Sequence, residues 1–116
     1  MNQLAKKILE KISDGETGGT FSIRGRLQIA TSGYFVATNG IEFNQIPSED
    51  VLQNEVYRIF RLYPEPYIGF WLNDGKLYLD AVRWVSKEKE AIRLGKKKNQ
   101  ISIWDCKNQT EIFLNK

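Results

Sequence analysis

The chain has 116 residues, 41% of them hydrophobic and 27% charged, with a net charge of +3 and no histidine. That composition fits one globular domain, residues 1–116, able to bury a modest core, and it excludes a disordered chain. A single cysteine, Cys106, excludes an intrachain disulfide and a cysteine-built zinc cluster, and it favours a reducing compartment. The apolar runs are only a few residues long, too short for a membrane span. The amino-terminal MNQLAKKILEKISDGE has charges among its apolar positions and no signal-peptide core. A cytoplasmic protein is expected. Charge is unevenly spread: residues 1–75 carry 7 Lys/Arg against 9 Asp/Glu, and residues 76–116 carry 10 against 5. A basic second half can face an acidic partner, or it can simply be a solvated, lysine-rich surface.

In chain order, residues 2–13 predict an amphipathic helix. Leu4, Ala5, Ile8, Leu9 and Ile12 share one face, and Asp14-Gly15 ends it. GETGGT (15–20) reads as a connector. Three short strands follow over 20–24, 27–30 and 33–38, rich in β-branched and aromatic residues. Asn39-Gly40 is the preferred pair of a two-residue hairpin turn, which predicts that Tyr34–Thr38 pairs with 41–44. Ser48-Glu49-Asp50 predicts a helix start. Residues 54–63, NEVYRIFRLY, fit a helix face and a strand about equally; a short turn over 48–53 and then a strand is the expectation.

The last third is plainer. Tyr67–Leu72 and Lys76–Val82 flank Asn73-Asp74-Gly75, a hairpin. Ser86 is placed to cap a helix over KEKEAIRL, with Gly95 as its stop, although Lys96–Lys98 could extend it. Residues 100–105 and 110–114 then pair around CKNQ. The expected fold is α+β. It is an antiparallel sheet of hairpins with an N-terminal helix, and a further helix is inserted in a C-terminal β-β-α-β-β unit, helices packing on one face. Alternation along the second hairpin puts Leu77 and Leu79 towards the core, together with Ile92, Leu94, Ile101 and Ile103.

Few residues offer chemistry. Without histidine the commonest acid–base group and metal ligand is missing, and no Cys-His or Ser-His pair can form. GETGGT follows a helix and lacks the Gly-Lys-Ser/Thr ending of a phosphate loop. Asp74, Asp80 and Asp105 sit in a turn or near predicted strand ends, where aspartate usually caps, and nothing in their spacing specifies a metal site. No catalytic residue, metal or cofactor is expected.

Two groups remain as candidate binding residues. Tyr67, Trp71 and Tyr78 share the second hairpin's outer face; large aromatics usually end in cores, but left exposed these rings would form a stacking platform for bases. Lys89, Arg93 and Lys97 are spaced i, i+4, i+8, forming a basic stripe extended by Lys96 and Lys98. Cations in a last helical turn are favoured by the helix dipole without any ligand.

The run from Tyr67 to Glu111, with GFWLNDGKLYLDAVRWV, AIRLGKKKNQISIWD and TEI, resembles a pattern in small uncharacterised bacterial and phage- or plasmid-borne proteins. There an aromatic-Trp hairpin precedes an A..LG...NQ.(A/S)I.D ending. The resemblance covers the C-terminal part of the chain and implies a bacterial or mobile-element setting. It brings no catalytic residues, and Gly95, Asn99, Gln100 and Asp105 within it read as structural. The expected function is a macromolecular-interaction module, an accessory or inhibitor protein of a mobile element with a protein partner. The alternative is nucleic-acid binding through the basic, aromatic-rich second half. A homo-oligomer is left open.

Overall fold

The computed structural model describes residues 3–114. Helix α1 (Leu4–Ser13) leads to strand β1 (Gly18–Ser22), then β2 (Tyr34–Phe43), helix α2 (Glu49–Leu62), β3 (Tyr67–Asn73), β4 (Lys76–Val85), helix α3 (Glu88–Lys97), β5 (Ser102–Asp105) and β6 (Thr110–Phe113). The strands form one curled antiparallel sheet in the order β1-β3-β4-β2-β5-β6. The fold is α+β, with an N-terminal helix and all three helices on one face of the sheet.

The face that the helices cover follows from alternation. Ile68, Phe70 and Leu72 of β3 stand opposite Ala81, Leu79 and Leu77 of β4. These side chains meet Leu4, Ala5 and Ile8 of α1 and Leu52, Val56 and Ile59 of α2 in the larger core. Under α3, Ala91 packs on Val36 and Ile103 in a smaller one. The β3–β4 turn closes at Asn73↔Lys76. Asp74 (φ 55°) and Gly75 (φ 78°) are both left-handed, as the primed turn that matches strand twist requires.

Four local expectations give way. Asn39-Gly40 makes no turn: neither residue has a positive φ, and β2 runs straight through them beside β4. Pairing with β4 sets Ile41 and Phe43 against Leu79 and Leu77 over the larger core, which a tight hairpin would not have done. The extra residue is absorbed by a bulge between Ala37 and Asn39. There the Thr38 hydroxyl donates to Glu65 Oε2 (3.0 Å), and Arg83 grips the same carboxylate with Nε (3.1 Å) and Nη2 (2.7 Å).

Residues 54–62 are helical, a continuation of α2. Leu52, Val56 and Ile59 fall on one face against α1, and the Ser48 hydroxyl accepts from Val51 N–H (3.3 Å). Tyr63 turns extended, as a residue before proline should. Residues 27–30 form a loop instead of a strand, joined to β1 by one bridge, Phe21↔Leu27, and by Gln28 N–H to Thr20 O (2.8 Å).

The fourth correction concerns α3. Ser86 does not cap it; Lys87 holds the cap position and makes no side-chain bond there. Gly95 does not stop it either. The stop is Asn99 (φ 56°), with Gln100 N–H returning to Gly95 O (2.9 Å) and Asn99 N–H to Lys96 O (3.0 Å). Gly95 is buried, and a Cβ there would lie 2.7 Å from Leu114 Cδ1 and 2.9 Å from Ile103 Cγ2. The contact line of the helix is therefore Ala91 and Gly95. Ile92 and Leu94 flank it and are half-buried, and Ile101 is exposed, whereas Leu77, Leu79 and Ile103 are buried as expected.

Candidate functional site

No helix covers the other face of the sheet. It holds a cleft of about 730 Å³ lined by Thr20, Phe35, Ala37, Glu42, Gly69, Trp71, Tyr78, Asp80, Val82 and Trp104, among others. Register explains the grouping. Trp71 stands opposite Tyr78 across β3–β4, and Gly69 opposite Asp80; on the other side Gly40 of β2 stands opposite Asp80 and Glu42 opposite Tyr78. The rings of Trp71 and Tyr78 lie 5.5 Å apart at 36°. Tyr67 meets Phe35 edge-on (5.8 Å, 73°) in a small apolar cluster with Val82, Cys106, Ala30 and Trp104.

Asp80 occupies the floor. The two residues beside it across the sheet are glycines, so its carboxyl lies among backbone with no neighbouring side chain on either strand. A Cβ at Gly40 would run into Asp80 Oδ1. Among the described residues no hydrogen bond or ion pair reaches the Asp80 carboxyl. Asp80 is half-buried, and the hydration it loses without gaining a donor pushes its pKa up to about 7, since that disfavours the carboxylate against its neutral form. Glu42, higher in the cleft, pairs with Lys76 (3.2 Å).

The three rings singled out from the sequence thus share one open face, where each is half-buried; Trp71 and Tyr78 meet in the cleft, while Tyr67 packs apart from them on Phe35. That overturns the expectation that they belong to the helix-covered core. The basic stripe is elsewhere. Lys89, Arg93, Lys96 and Lys97 are exposed on α3, which packs on the opposite face, and Lys98 is half-buried at its cap. None of the five joins an ion pair among the described residues. Stripe and rings therefore do not form one surface.

Asp80 as an unpartnered floor carboxylate was missed by sequence reasoning, as was Gly40, which leaves it room. One signal was present in YLDAV: an aspartate in the middle of an apolar, aromatic strand rather than at its end. Asp105, by contrast, is the capping residue that its place suggested. Its carboxylate accepts from Lys107 N–H (3.1 Å), Asn108 N–H (3.2 Å) and Asn108 Nδ2 (2.8 Å), and the Asn108 side-chain bond foremost holds its pKa down. Cys106 is buried, which pushes its thiol up to about 11, away from a nucleophile's range. Among the described residues no three His, Cys, Asp or Glu side chains gather as metal ligands, and no helix is long and apolar enough to cross a membrane. Comparison with family models, curated proteins and solved structures finds no match to this chain.

Proposed function

We propose that this chain works by binding a protein partner, receiving a segment of it in the cleft on the helix-free face. The observation that carries this is the rim. Leu27 (40% exposed), Ile29 (77%) and Ile101 (36%) line the cleft and stand in solvent, and Phe113 (63%), opposite Ser102 on β6, is exposed on the same face of the sheet. Exposed apolar side chains gathered around an aromatic-lined depression are the surface that partners cover. Catalysis is disfavoured: the chain has no histidine and its thiol is buried.

Nucleic acid is the weaker reading. The cleft that holds the Trp71 and Tyr78 rings is lined by Glu16, Glu42, Asp80 and Glu111 against Lys11, a balance unfavourable to phosphate, and the basic stripe lies on the opposite face. An accessory or inhibitor role in a mobile element rests only on the sequence resemblance described above.

The test is a selection of displayed peptides on the intact chain, with binders then measured on two variants. Binders should lose at least about tenfold in affinity on Trp71→Ala and be unchanged by the Lys89, Arg93, Lys97→Gln triple substitution. Failure to select any peptide, together with single-stranded RNA or DNA binding whose log–log salt slope is near −2 to −3 and is lost in the triple variant, would reverse the assignment.

A further inference from the structure

We propose that the floor of this cleft receives one basic side chain, the lysine ammonium or arginine guanidinium of the partner's segment, with the Asp80 carboxylate beneath it and the Trp71–Tyr78 pair as its wall. This rests on the protein-binding reading above and names what that site selects.

Three observations converge on a cation. Asp80 is an unpartnered carboxyl lining the cleft, its Oδ1 lying over the Gly40 backbone in the space that a side chain there would fill. A carboxylate partly withdrawn from water without a donor is costly, and a charged donor arriving from outside offsets that cost most effectively. Next, the ionisable residues lining the cleft are Glu16, Glu42, Asp80 and Glu111 against the single cation Lys11, in a chain that is otherwise net positive. The local charge opposes the global one. Finally, the Trp71 and Tyr78 rings adjoin Asp80 along and across the strands, where a cation over an aromatic face is attracted by the ring's negative π-surface.

The rim decides the source. A free amine would gain nothing from Leu27, Ile29 and Ile101, whereas a peptide with apolar residues beside its basic one would cover them. The same acidic lining turns away a phosphate backbone and an acidic peptide.

The experiment titrates the ¹⁵N-labelled full chain with three blocked pentapeptides, acetyl-Ala-Leu-X-Leu-Ala-amide, where X is lysine, norleucine or glutamate, up to about 5 mM. The lysine peptide should shift the Trp71 indole N–H and the Gly69 and Asp80 amides saturably. The norleucine peptide should bind about tenfold more weakly, and the glutamate peptide more weakly still. Asp80→Asn should lower lysine-peptide affinity about tenfold while its spectrum stays that of the folded chain and its norleucine affinity is unchanged. Equal binding of the lysine and norleucine peptides, both weakened by Trp71→Ala, would overturn the cation assignment and leave the protein-binding cleft standing. If no peptide perturbs the cleft, both fail. Preference for the glutamate peptide would also overturn the assignment.

Discussion

Neighbouring residues on β4 have opposite fates. Leu77, Leu79 and Ala81 point under the helices and are buried at 1%, 0% and 1%, whereas Tyr78 and Asp80, one step along the same strand, line an open cleft. Tyr78 is bulky enough that composition alone would bury it as readily as the leucines. The covered face is where three amphipathic helices supply matching surface; the other face has no such supply, so its rings remain a wall without a lid. Alternation assigns residues to a common face, and only the helices decide which face becomes core.

The sharpest way to break this comparison is to truncate on each side of the strand. Leu79→Ala should cost on the order of 2–5 kcal/mol, the range for deleting a buried aliphatic side chain. Tyr78→Ala, which removes a half-buried ring and its stacking on Trp71, should cost about 1 kcal/mol. Urea unfolding curves measure both, and equal losses would mean that the two faces are equally covered.

Asp80 comes next. Its folded pKa, about 7, lies above the ordinary aspartate value of 3.8, so the folded state holds the extra proton through that window and loses stability as pH rises through it. Asp80→Asn removes that penalty. It should stabilise the chain by on the order of 2 kcal/mol at pH 8, the full shift being discounted for the carboxyl's residual solvent contact, and by almost nothing near pH 4. A gain that does not change with pH would show that the carboxyl is well solvated.

On the covered side, Gly95→Ala places a methyl against Leu114 and Ile103 and should cost about 1–2 kcal/mol, despite alanine's better helix propensity. A stabilised variant would mean that α3 stands further from the sheet. The smallest effect belongs to the stripe. Replacing Lys89, Arg93 and Lys97 with glutamine should change stability by less than about 0.5 kcal/mol, because all three are solvated. A larger thermal or denaturant shift would reveal ion pairs that tie α3 down.

The second hairpin, the helix after it and the final strand pair were legible in the sequence because each carries a local signal: Asp74-Gly75 for the turn, alternation for the strands, early acids and late lysines for the helix. The first half misled where a strong local signal lost to a long-range one. Asn39-Gly40 looks like a turn, yet its residues belong to a ten-residue strand fixed by β4, a partner about forty positions away. NEVYRIFRLY has strand-forming residues, and α1 supplies the surface that makes its helical face worth burying. The candidate site was half visible. Period 2 put Tyr67, Trp71 and Tyr78 on one face, as the register has them, but Asp80 gains its room from Gly40 on another strand, a relation that no single stretch of sequence displays.

Solvent paramagnetic relaxation on the intact, unliganded chain tests the central claim, that one face of this sheet is core and the other a reachable cleft. A soluble gadolinium chelate should strongly broaden the indole N–H signals of Trp71 and Trp104 and the ring signals of Tyr78, while the methyl groups of Leu77, Leu79 and Ile103 stay sharp. Protection of the Trp71, Trp104 and Tyr78 signals as complete as that of the three methyl-bearing residues would mean that the ring-bearing face is covered, and the cleft would not exist.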